Sequence, residues 1–338
     1  MRIGHFDSWN ERDNIMSVGA FERRTKVVDL AHTVAIPNEP NDMWRFARDA
    51  LLEFGCTVHE VAQLMSNIKD IRQLQGCEDL DPDVHVLRAF LGRCAHRGRL
   101  HLHGDPAYRP AVEECIKTGI VCLGPDEIGL TQGQVDALER ELASPRGGLS
   151  KNHANLISAN QNEFRVSADL LAMLRPMLSQ ITGYSAQTIA GELDRTAFSQ
   201  RVVNGPEDND VQKVMHQDTW HDAWKLWYFP RPVRLGEGPF RFARNSHGLS
   251  AARLRLTREF ATHGKTWEPW RSYGHDEGSW RANDAELATM DCEAADVVCA
   301  PGTLVIANVY GFHARGEANE TRERIALHAS IRLNPWTI

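Results

Sequence analysis

The sequence predicts a mainly β domain of sandwich or jelly-roll type, flanked by helices and preceded by a helical extension. Three observations predict it. From about residue 195, short apolar runs alternate with Gly, Pro and Asn, as in "TAFSQRVVNG", "AWKLWYFPRP", "PFRFARNSHG" and "DVVCAPGTLVIANVYGFH". Near the end, "RIALHASIR" alternates strictly, with Ile325, Leu327, Ala329 and Ile331 on one face and Arg324, Ala326, His328, Ser330 and Arg332 on the other. Residues 41–98 keep the helical period instead.

Residues 1–40 read as an irregular arm with one short strand in "KVVDLAHTVAI". The first helix is "NDMWRFARDALLEFG", bounded by Asn41 and Gly55. The next opens on Thr57 and Glu60, a capping box, and places Val58, Val61, Leu64, Met65, Ile68 and Ile71 at helical spacing. A third starts at Asp81 with Pro82 in its first position. Its neighbourhood has a faint helix-turn-helix rhythm. Residues 41–105 carry eight Lys/Arg against ten Asp/Glu, however, which lacks the basic face of a DNA reader. The expected division is an arm and helical extension over 1–105 and a β domain over 106–338.

The second unit opens with "TGIVCLGPDEIGLTQGQVDALERELA", read as strand, turn and helix. Thr131 with Gln134 forms a capping box, and Leu130 with Val135 a hydrophobic staple. A helix near 167–180 is expected to break or bend at Pro176.

The 338 residues are 42% hydrophobic and 25% charged, with a net charge of −7. That acidity argues against non-specific affinity for nucleic acid or an anionic membrane. No apolar run reaches the length of a membrane span. Seven cysteines, an odd number without a C-x-x-C, point to free thiols in a reducing compartment, and the cytoplasm is the expected location. The expected partner is a small-molecule substrate, with the chain acting as a monomer or homodimer.

The chemistry centres on "MHQDTWHDAWKLWYF". His216 and Asp218 are two apart, so in extended chain both point to one face. An imidazole and a carboxylate aimed at one point begin a divalent-metal site. The best third ligand is His313, where "PGTLVIANVYGFH" leaves the core. Two histidines and one carboxylate make the facial triad of non-haem Fe(II) oxygenases, which leaves three positions open. Arg324 begins the strand eleven residues after His313 (324 − 313 = 11) and can grip a carboxylate some ångströms from the metal. The plainer reading is a surface histidine, a capping aspartate and an edge-strand arginine.

Four ordered pieces resemble the phytanoyl-CoA dioxygenase-like family of Fe(II)/2-oxoglutarate-dependent oxygenases. They are "YRPAVEECIKTGIVCLGPDEIGLTQGQVDALERELA", "HQD" at 216–218, "GEGPFRFARNSHG" and "PGTLVIANVYGFHARGEANETRERIALHASIR". The resemblance spans roughly 110–338. It implies a double-stranded β-helix (jelly-roll, cupin-like) core and an enzyme using Fe(II), 2-oxoglutarate and O2. It implies His216, Asp218 and His313 as iron ligands and Arg324 as the partner of the distal 2-oxoglutarate carboxylate. It places Trp227 beside the cosubstrate and Gln217 toward the substrate pocket. The implied reaction is oxidation, most simply hydroxylation, of an unactivated C–H, with release of succinate and CO2. Asp218 sits where related halogenases carry a small residue, which favours hydroxylation-type chemistry.

The chain departs from the family at "ARNSH", in the long 250–295 segment, and over 1–105. No substrate follows from the resemblance. His96, His101 and His103 read as a surface loop, and His221 and Asp222 as the end of a strand. Trp267, Trp270, Arg271, Trp280 and Arg281 could suit an anionic or aromatic substrate, or pack as a loop. Two other functions stay open at this level. One is a non-catalytic jelly-roll binding module. The other is a His/His/Asp metal-dependent hydrolase or isomerase that does not use 2-oxoglutarate.

Overall fold

The computed structural model describes residues 105–143, 150–152, 156–160, 165–206, 210–219, 221–248, 250, 252–253, 256–257, 260 and 280–333. The expected N-terminal arm and three-helix extension, and most of the 250–295 segment, lie outside the described residues. No helix among the described residues is long and apolar enough to cross a membrane.

The β domain is built as expected. Helix α1 (Arg109–Thr118) leads into β1 (Ile120–Leu123), then α2 (Gln132–Ala143), β2 (Ser150–Asn152) and β3 (Leu156–Asn160). Helices α3 (Arg165–Thr182) and α4 (Ala186–Thr196) follow. The strands then run β4 (Phe198–Asn204), β5 (His216–Gln217), β6 (Trp224–Phe229), β7 (Phe240–Ala243) and β8 (Trp280–Arg281). After the short α5 (Asp284–Ala288) come β9 (Ala294–Val297), β10 (Thr303–Asn308), β11 (His313–Arg315) and β12 (Arg322–Ile331). They form two antiparallel sheets, ordered β1-β10-β6-β12-β4-β3-β2 and β8-β5-β11-β7-β9.

Alternation sorts the side chains into three layers. Leu226, Tyr228, Leu304, Ile306, Ile325 and Leu327 leave the larger sheet on one face and pack against α1–α4. Trp227, Phe229, Val305, Ala307 and Ala326 leave it on the other, where they meet Phe240 and Phe242 of the smaller sheet. Behind the smaller sheet, Met215, Ala243, Phe312 and Ala314 pack on Leu256 and Phe260. The face of β12 that carries Arg324, Ala326 and His328 therefore looks into the space between the sheets.

Local signals explain the element ends. The backbone N–H of Thr131 donates to Gln134 Oε1 at 2.9 Å and that of Gln134 to Thr131 Oγ1 at 3.4 Å, which is the expected capping box. Gly119 closes α1 with φ +84°, and a Cβ there would lie 2.6 Å from the His247 ring. His247, the histidine of "ARNSHG", is buried and donates from Nε2 to the Ile116 carbonyl at 3.0 Å. It ties the turn after β7 to α1.

The helix is not interrupted: α3 continues through Pro176. A proline inside a helix costs about 3 kcal/mol. Leu170, Leu171, Leu174, Met177, Leu178 and Ile181 all bury on the same helix, at roughly 1.5–3 kcal/mol each. Tertiary burial on both sides of the proline outweighs the local penalty.

Leu327 is buried under the helices. Leu327→Ala is expected to lower unfolding free energy by about 3 kcal/mol. Cys122→Ser, on an exposed side chain, should change it by less than about 0.5 kcal/mol. Urea denaturation measures both.

Candidate metal centre

Strand pairing sets the centre. In the smaller sheet His313 is directly opposite His216, so both imidazoles leave the same face. Their ring centroids are 4.5 Å apart. Asp218 follows on the same chain, with its backbone N–H donating to the Val309 carbonyl at 2.9 Å. Asp218 Oδ1 lies 3.8 Å from His216 Nε2 and 3.7 Å from His313 Nε2. One ligand atom from each of the three side chains falls within 4.8 Å of the others.

Both histidines are oriented from behind. His216 Nδ1–H donates to the Val214 carbonyl at 2.8 Å and His313 Nδ1–H to the Gly311 carbonyl at 3.0 Å. A carbonyl only accepts, so each Nδ1 carries the proton and each Nε2 presents a lone pair inward. His313 Nε2 is buried without a hydrogen-bond partner. Burial lowers the His216 pKa to about 4 and the His313 pKa to about 3, against the opposing pull of Asp218. Both are neutral at pH 7, the form that ligates metal. Burial opposes ionisation of Asp218, but Lys225, His313, Arg332 and His216 outweigh it and hold the carboxyl far below its usual range. Two neutral imidazoles and one carboxylate, with a buried lone pair left over, fit a divalent metal of borderline hardness.

Arg324 lies opposite Val202 of β4, three residues before the pairing of β12 with β6 begins at Leu327. Its guanidinium donates to the Gly238 carbonyl and sits 5.6 Å from the Phe229 ring. Its Nε is buried without a partner, and no carboxylate pairs with it among the described residues. Burial, then the charge of Arg315, lowers its pKa to about 9. A buried cation without an anion is costly, so the position suits an incoming carboxylate.

Trp227 shares the inner face of β6 with Lys225 and Phe229. It stacks on Phe240 at 4.5 Å and meets His328 edge-on at 5.5 Å. Phe240 in turn is 5.8 Å from the His313 ring. Trp227 thus stands between the residue that reaches Asp218 and the ring under Arg324.

Gln217 requires a correction. It does not face the pocket. If His216 and Asp218 point inward, alternation turns the residue between them outward. Its Oε1 accepts from Arg253 Nη2 at 2.5 Å and its Nε2 donates to the Thr219 carbonyl at 3.2 Å. Arg253 is itself fully buried, 4.3 Å and 4.2 Å from the Tyr310 and Phe312 rings, and also donates to the Tyr310 carbonyl at 2.6 Å. Gln217 braces the strand from behind.

His221 and Asp222 are both buried just before β6, and Asp222 accepts from the Asn308 amide, so they brace the entry to that strand. Sequence reading missed three inward-facing groups as site residues, Lys225, Arg332 and His328, and left a fourth, Arg281, open between a substrate contact and a packed loop. Arg281 pairs with His216 from the outer strand β8, shares its face and is buried. His328 is buried between Trp227 and Phe198 with its Nδ1 unpartnered. The alternation of "RIALHASIR" had already placed His328 and Arg332 on the face of Arg324.

No protein-family model matches the chain, and no curated protein matches it by sequence. Solved structures overlap it in part. The epimerase SnoN, in complex with Fe3+, α-ketoglutarate and nogalamycin RO, is 15% identical with a TM-score of 0.44, over 67% of this chain and 84% of that one. HygX from Streptomyces hygroscopicus, with nickel and 2-oxoglutarate bound, is 11% identical with a TM-score of 0.41, over 66% and 85%. EctD from S. alaskensis with bound Fe is 13% identical with a TM-score of 0.39, over 68% and 79%. At such identities and TM-scores the similarity assigns neither a residue nor a reaction here.

His328 has its pKa lowered well below 6.5, by burial first and then by Lys225 and Arg332. A buried neutral imidazole takes up a proton only on unfolding, so the unfolded chain binds more protons below pH 6.5. Stability of the metal-free protein should therefore fall as pH drops from 6.5 toward 5, by up to about 1.4 kcal/mol per pH unit per such histidine. Denaturation midpoints at pH 7, 6 and 5 measure this, and His328→Asn should flatten the dependence.

Proposed function

We propose that the protein is an Fe(II)- and 2-oxoglutarate-dependent oxygenase that oxidises, most simply hydroxylates, a C–H bond of a small-molecule substrate. The observation that carries this reading is the pairing of a His/His/Asp cluster with a half-buried arginine on the same interior, whose guanidinium meets no carboxylate among the described residues. Either feature alone serves many functions. Together they match the two ends of a keto diacid, one end at a metal and the other at a guanidinium.

His216, His313 and Asp218 would hold ferrous iron through Nε2, Nε2 and Oδ1. When bound, iron and 2-oxoglutarate supply dioxygen activation, coupled to oxidation of the cosubstrate to succinate and CO2. The chain's own residues do the rest. Arg324 would receive the distal carboxylate, with Phe229 beneath its guanidinium and the Gly238 carbonyl fixing its direction. Trp227, Phe229 and Phe240 give the interior an apolar wall that excludes water and strengthens each charge contact there. The Val214 and Gly311 carbonyls hold both imidazoles in the ligating tautomer.

Anaerobic addition of Fe(II) and 2-oxoglutarate is expected to produce a weak visible absorption band. His216→Ala and Asp218→Ala should each remove it and abolish succinate formation. Arg324→Met should raise the 2-oxoglutarate requirement by about 100-fold, the loss of a buried charge-assisted pair, while still binding metal. Full succinate formation in either ligand variant, or turnover without 2-oxoglutarate, would reject the reading.

A further inference from the structure

The two oxygens of Asp218 have different surroundings. Oδ1 faces the two imidazoles. Oδ2 is 2.5 Å from Lys225 Nζ and 2.6 Å from Arg332 Nη2. Lys225 comes from the inner face of β6, two residues before Trp227, and is largely buried. Arg332 follows directly on β12, with its side chain 40% exposed at the rim. Lys225 pairs with Ser330 across these strands, so Arg332 is its diagonal neighbour on the same face. The charged and titratable groups around the carboxylate include these two cations, His216 and His313, with His328 further along the inner face of β12. Two cations converge on one oxygen of the only carboxylate in the cluster.

We propose that Lys225 and Arg332 are positioning residues that clamp Asp218 Oδ2, so that the carboxylate offers a metal one oxygen and not two. The proposal rests on the metal reading given above. Its physical content is a trade. Positive charges a few ångströms from a divalent cation oppose its binding. In return, a one-oxygen carboxylate occupies one position, so three ligand atoms leave three positions free for cosubstrate and dioxygen. A carboxylate released from the clamp can close with both oxygens, hold metal more tightly and block one of those positions.

This fixes the sign of the test, because damage to the site would weaken metal binding and loss of the clamp strengthens it. Co(II) is the probe, titrated calorimetrically into the full metal-free chain, with its visible d–d absorption recorded. Lys225→Met is expected to bind Co(II) about tenfold more tightly than wild type. Its d–d band should shift as a carboxylate oxygen takes a position held by water, and its 2-oxoglutarate turnover should fall. Arg332→Met, at the exposed rim, should shift in the same direction and serves if Lys225→Met does not fold. Lys225→Arg, which keeps the charge, should retain the wild-type affinity. Unchanged or weaker Co(II) binding in the folded Met variants overturns the clamp. Tighter binding in the variants of a protein that never consumes 2-oxoglutarate would uphold the clamp and reject the proposed reaction. A wild type that binds no Co(II) rejects both.

Discussion

The cross-strand pairing of His216 with His313 is the constraint on which the rest of the centre depends. Opposite residues of an antiparallel pair share a face and lie within about 5.5 Å at Cβ. That places two imidazoles side by side without any loop having to find its position. A slip of one residue would send one ring into the layer of Met215 and Phe312, behind the sheet. The buried pairing of Gln217 with Arg253 resists such a slip, because a slip would bring an amide into the aromatic interior and strand a guanidinium behind it.

The interior between the sheets combines an apolar wall with an excess of positive groups. Arg324 and Lys225 reach into it beside Trp227, Phe229 and Phe240, and Asp218 is the anion that answers at the metal end. Such an interior is expensive in an empty protein, since buried charge is poorly compensated. A divalent cation and a dianionic ligand, as in the function proposed above, would each meet a preformed partner there and offset that cost. The fold tolerates the arrangement because α1–α4 cover the other face of the larger sheet with a continuous aliphatic layer. Stability lies mainly on that face, and chemistry is free to occupy the other.

Much of this was legible in the chain. H-x-D in extended backbone means two ligands on one face, and the alternation of "RIALHASIR" separates the core face from the inward face. The capping box at Thr131 and Gln134 marks a helix start that the hydrogen bonds reproduce. Two readings took a residue apart from its pattern. Gln217 was aimed at the pocket although its neighbours' direction excluded it. Pro176 was read as interrupting or bending a helix whose apolar period continues on both sides. Arg332 was not legible as a partner of Asp218, because it comes from a strand distant in sequence; Lys225 is near in sequence but sits on a different strand, in the other sheet, and its reach to Asp218 depends on how the sheets face each other.

The sequence by itself determined the periods, the caps and the chemical identity of the candidate ligands, since these depend on neighbours within a few residues. It also determined which side chains share a face, because a strand has a fixed alternation. Only the tertiary structure decided which faces meet. The opposition of His216 and His313, the pairing of Arg324 with Val202, and the contact of Arg332 with Asp218 all arise from pairings across about 90 to 120 residues of chain. No local preference encodes such pairings. They follow from which arrangement buries the apolar faces of both sheets at once.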